Sequence, residues 1–163
     1  MRWFRFAVLI LLAAVLQASL FADVSIKPDL LLILLVFFAV YCNISEAIIA
    51  SFVVGFVADL IGPAAMGPQI ISFGLFGTTL AYLHRLIAIG RLSAQSLAIF
   101  ATALLAGALT YFLGSLKGRP LAPNIYVVLL GISLYSSIVG PFLFLPAGWW
   151  MRIKTTRLRH GSR

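Results

Sequence analysis

The chain has 163 residues, 63% of them hydrophobic and only 10% charged, with a net charge of +8. That composition excludes an ordinary soluble domain and a disordered chain, and repeated long apolar runs read as a single membrane domain. The basic residues stand at the ends of the apolar runs, which argues against nucleic acid as a partner, and one cysteine, Cys42, allows neither an internal disulfide nor a thiolate metal cage.

Arg2 and Arg5 precede an apolar run from Phe6 to Ala22, the layout of a signal peptide or of a first membrane helix. No clean A-x-A pattern precedes Asp23, so the segment is read as a retained helix. Ala7, Leu11, Ala14 and Ala18 form a small-residue stripe on it, a pattern of close helix packing that also arises by chance in alanine-rich spans. Asp23 to Asp29 is a polar break, and Pro28-Asp29 can open a second helix with a favourable negative charge in its first turn. That helix runs from Leu30 to about Tyr41, short against the roughly 20 residues of a full span. Asn43 to Glu46 is then a tight turn, with Ser45 as the cap of helix three.

Helix three carries a carboxylate inside an apolar run. Asp59 lies about 18 Å along a helix starting near Ala47, within a hydrocarbon core about 30 Å thick. A charge at mid-bilayer costs at least about 2.5 to 3.5 kcal/mol, so such a group faces protein and finds a partner. Ser51, Gly55, Asp59 and Gly62 share one helical face of small or polar groups, where another helix can approach closely. Gly62-Pro63 ends the helix, and Gly67-Pro68 starts the next with proline at the first helical position. The carboxylate is therefore expected beside the free N–H groups of helix four, or beside hydroxyls such as Ser72.

Helix four is read from about Gln69 to Leu83, with Gly74, Gly77 and Ala81 among its apolar residues, followed by a mixed turn between Arg85 and Arg91. Ser93 caps helix five, from about Ala94 to Leu116, which has Ala103, Gly107, Thr110 and Gly114 on one face. Helix six runs from Ile125 to about Trp150 and should kink or break at Gly140-Pro141 and Pro146. Residues 1–150 thus form an all-α, polytopic membrane domain of about six helices, and 151–163 a basic tail. If both termini are cytoplasmic, nine lysines and arginines lie inside against three outside, which supports that orientation. The tail residues Arg152, Lys154, Arg157, Arg159 and Arg163 suit an anionic lipid surface or serve as an orientation signal.

Catalytic patterns are missing from the sequence. His84 and His160 fall at the cytoplasmic edge and in the tail, no paired carboxylates stand within the spans, and no HExxH, P-loop or G-x-S-x-G motif occurs. No enzyme, cofactor or metal site is expected. Asp59 alone suits either a structural, partner-binding carboxylate or a proton or cation site.

The run Lys27-Pro28-Asp29-Leu30-Leu31-Leu32-Ile33, then Gly55-Phe56-Val57-Ala58-Asp59-Leu60 with Gly67 beyond it, resembles the MreD family of bacterial rod-shape-determining membrane proteins. The resemblance extends over nearly the whole chain in length, charge layout and these two motifs. It implies a multi-pass inner-membrane component of the cell-elongation machinery, which partners MreC and, with it, the MreB filament, RodA and the elongation transpeptidase. It also implies a helical fold similar to the substrate-binding components of ECF-type vitamin transporters. Pro63-Ala64-Ala65-Met66 departs from the small polar loop expected after the aspartate. Two functions follow: a non-catalytic scaffold with packing faces for partner helices, and a solute-binding subunit with a cavity near Asp59. The shortage of buried polar groups favours the scaffold, because a water-soluble substrate needs several placed donors and acceptors.

Overall fold

The computed structural model describes residues 3–19, 29–62, 67–86, 92–118 and 124–151. Among them are six α-helices: α1 (Trp3–Ser19), α2 (Leu30–Tyr41), α3 (Ile44–Ile61), α4 (Pro68–Leu86), α5 (Leu92–Leu116) and α6 (Ile125–Met151). Lys27, Pro28, the 63–66 loop and the basic tail lie outside the described residues.

The fold is built around α2. Its twelve residues are apolar all round, so no face of it suits water, and Leu30 to Val40 are buried without exception. It touches each of the other five helices. At 1.5 Å per residue it is only about 18 Å long, too short to cross a hydrocarbon core alone. Aromatic edges lock it to its neighbours: Phe38 meets Phe6 of α1 at 4.9 Å between ring centroids, and Phe37 meets Phe144 of α6 at 5.5 Å. Near its C-terminal end, the Gln95 amide of α5 donates to the Tyr41 hydroxyl at 2.8 Å.

Among the described residues, three helical stretches are long and apolar enough to cross a membrane: Ile44–Ile61, Ala94–Leu116 and Ile125–Trp150. The six helices stand close to the expected positions, while α1 and α2 are shorter apolar helices that depend on their neighbours. Several local expectations are corrected. The N-cap of α3 is Asn43, so Ser45 lies inside the first turn, and α5 begins at Leu92, before Ser93. The α1 stripe faces outward: Leu11 is exposed, and Phe6, Ile10 and Ala13 make the buried side. In an all-apolar helix a small-residue spacing does not say which face is covered. Of the kink or break expected at Gly140-Pro141 and Pro146, the break does not occur: α6 is continuous through both prolines, since surrounding helices hold a membrane helix together across the missing N–H groups.

Cys42 stands in the turn between α2 and α3, its N–H donating to the Phe38 carbonyl at 3.0 Å. Burial, and then the neighbouring Glu46 charge, push its thiol from 9.0 up to about 11. Only the thiolate reacts with a maleimide, so labelling at neutral pH should run about a hundredfold slower than for an ordinary thiol. The rate should climb as pH approaches 11, and Glu46→Gln should raise it at a given pH.

Candidate functional site

The first turn of α4 is assembled around Asp59. This residue is buried at 3% exposure near the C-terminal end of α3, two positions before Ile61, as expected from the helix end at Gly62-Pro63. Helix α3 begins at Ile44, three residues before the expected Ala47, and its C-cap is Gly62. The Asp59 carboxylate accepts three backbone bonds across the turn: Gly67 N–H to Oδ2 at 2.9 Å, Ile70 N–H to Oδ2 at 3.0 Å and Gln69 N–H to Oδ1 at 3.1 Å. Pro68 has no N–H to satisfy, and the Ile71 N–H reaches the Gly67 carbonyl at 3.1 Å. Every donor of the opening turn thus has a partner or is absent, which is what a buried helix start requires. Ser72 is not part of this arrangement; its hydroxyl turns back to the Pro68 carbonyl at 2.7 Å.

Gly67 holds φ at +126°, a region that suits glycine, and a Cβ there would stand 3.0 Å from Lys117 Nζ at the end of α5. The α3–α4 turn and the end of α5 therefore meet at this residue.

The rest of the α3 face packs on α4. A Cβ on Gly55 would lie 2.9 Å from Ile70 Cα and 3.0 Å from the Gln69 carbonyl oxygen, so the two backbones approach as closely as glycine permits. Ser51 is buried, donates to the Ala47 carbonyl at 2.7 Å, and occupies the space that a side chain on Gly77 would need. Phe52 fills the corresponding space at Gly74. Gly62 is looser, with the nearest atom to a Cβ being the Ala58 carbonyl at 3.2 Å.

A second carboxylate, Asp29, caps α2: its Oδ1 accepts the Leu32 N–H at 3.1 Å, while its own N–H donates to Ser136 Oγ of α6 at 2.9 Å. Gln17 of α1 accepts the Leu31 N–H at 3.2 Å. Gln17 and Ser136 were not singled out in the sequence, although Gln17 is the one amide in α1 and Ser136 belongs to a group of three serines on α6. Asp29 and Asp59 serve separate helix starts. In α5, Ala103 and Gly114 are buried and Gly107 faces Leu129 of α6, while Thr110 keeps a buried hydroxyl without a hydrogen-bond partner among the described residues.

Residues 1–149 match the family model of the rod shape-determining protein MreD. The chain belongs to the MreD family. No curated protein and no solved structure matches it. Membership of the MreD family makes the chain a membrane protein of rod-shape determination, in agreement with its apolar helices. Both MreD motifs noted in the sequence, at Asp29 and at Asp59, contain an aspartate that accepts backbone N–H groups at the start of a helix.

Proposed function

We propose that this MreD family member is a non-catalytic scaffold of the cell-elongation machinery in the bacterial inner membrane. Residues 1–150 form its six-helix membrane domain, with a fold similar to the substrate-binding components of ECF-type transporters. Both termini are cytoplasmic, and residues 151–163 form a basic tail against the membrane surface. Its helices hold an MreC-type protein and, through it, MreB, RodA and the elongation transpeptidase. The observation that carries the reading is the full engagement of Asp59: three backbone N–H groups use the carboxylate, and the residue is sealed within the α3–α4 seam. A solute site near Asp59 needs placed polar groups that are still open to a ligand. Here the Asp59 carboxylate and the Ser51 and Ser72 hydroxyls are spent on the fold.

Co-purification from gently solubilised membranes tests the proposal. The MreC-type protein should come down with the chain, and Asp59→Asn should reduce its recovery no more than it reduces the amount of folded chain. A bound small molecule that disappears with Asp59→Asn, in a chain still present at normal abundance, would identify a solute-binding subunit instead.

A further inference from the structure

The spanning run of α6 ends at Trp150, and the last turn of a helix leaves its carbonyls without intrahelical donors. One of them is met from across the fold. Arg5 of α1 donates through Nη1 to the Trp150 carbonyl at 3.3 Å, joining residues 145 positions apart. A cation suits that place, since the C-terminal end of a helix carries partial negative charge.

The bond uses one N–H of a guanidinium that has several more. Among the described residues those others have no partner, and no carboxylate stands within ion-pair distance of Arg5. The residue is nevertheless partly buried, and the contact with α6 fixes where its remaining donors lie.

Depth decides what those donors meet. The apolar run Ile125–Trp150 stops at this point, so the guanidinium stands where hydrocarbon gives way to headgroups. Phe4 and Trp149, at the same two helix ends, are 80% and 82% exposed. Large aromatic side chains left open at that depth form the interfacial belt of a membrane protein. The acceptor found there in quantity is lipid phosphate, whose oxygens match the planar fork of a guanidinium. We propose that Arg5 is the centre of a binding site for the phosphate of an anionic phospholipid, with the acyl chains beside Phe4 and Trp149. A zwitterionic lipid is disfavoured, because its own ammonium group is repelled by a chain of net charge +8. A phosphate gripped by the guanidinium that also holds the Trp150 carbonyl strengthens the junction of α1 with α6. The site is separate from the tail, whose basic residues begin after Met151.

The test uses the full chain purified in detergent, with its melting temperature measured in phosphatidylglycerol or in phosphatidylcholine of the same acyl chains. Phosphatidylglycerol should raise it by several degrees more, and high salt should shrink that increment. Arg5→Gln should lose most of the increment, whereas Arg157→Gln combined with Arg159→Gln in the tail should keep most of it. Because the readout is a difference between two lipids, a lower baseline stability without the Trp150 bond does not enter. An equal response to the two lipids, an increment kept by Arg5→Gln or lost only in the tail variant, or the same increment from inorganic phosphate alone would each overturn the inference. So would loss of a co-purifying MreC-type protein on Arg5→Gln in a chain without lipid preference, which would assign the guanidinium to a protein carboxylate. If Arg5→Gln does not accumulate, Arg5→Lys replaces it: it keeps the charge without the fork, and an undiminished increment there counts against the site.

Discussion

Replacing Gly55 by leucine is expected to remove most of the chain from the membrane fraction. The atoms that a side chain would meet first are the Ile70 Cα and the Gln69 carbonyl oxygen, which belong to the backbone of α4 and cannot rotate away. Helices α3 and α4 would have to separate, and the shift would pull Gln69 and Ile70 from the carboxylate they bind. Overpacking of a close seam costs on the order of 3 kcal/mol, enough to lower steady-state abundance severalfold through quality control. Gly55→Ala should show the same defect more weakly. Quantitative immunoblotting of membranes measures both variants, and normal levels of Gly55→Leu would show that the seam is not tight.

Asp59→Ala is the second large effect. It leaves the N–H groups of Gly67, Gln69 and Ile70 without their acceptor in a buried turn. Losing a cap and stranding buried donors costs on the order of 3 kcal/mol, so the purified chain should unfold at a clearly lower temperature. Asp59→Asn should be milder. With its carbonyl oxygen in the place of Oδ2, the amide keeps the bonds to Gly67 and Ile70, and only the Gln69 N–H faces a donor, a loss of about 1 to 2 kcal/mol. The expected order of thermal stability in detergent is therefore wild type, then Asp59→Asn, then Asp59→Ala. Equal melting of the two variants would mean that the hydrogen bonds are not what Asp59 contributes.

Local punctuation made much of this legible in the sequence. Gly-Pro at 62–63 and again at 67–68 marks the end of one helix and the start of another, and a carboxylate one turn before such a break has helix N–H groups within reach. Likewise Asp29 before an apolar run marks the start of α2. What local signals cannot supply is which face of a uniformly apolar helix is covered. The stripe at Ala7, Leu11, Ala14 and Ala18 and the buried set Phe6, Ile10 and Ala13 are equally plausible from spacing alone, and only tertiary contacts choose between them. The tie between Asp29 and Ser136 joins residues 107 positions apart, so no reading of neighbouring residues could have paired them. Proline does not break α6 for a related reason. Its penalty is measured against water, and inside a membrane the alternatives to a continuous helix are worse.

The central position of α2 also bears on how the chain is made. A twelve-residue segment is too short to settle across the bilayer as a stable span alone, and the Asp29 N–H at its leading end donates to a serine of α6, which is made well after it. That bond at the start of α2 therefore forms only after α6 has entered the membrane. The start of α2 is thus completed in two stages: Asp29 and Gln17 can hold the Leu32 and Leu31 N–H groups early, while the Asp29 N–H meets Ser136 only once α6 has been made.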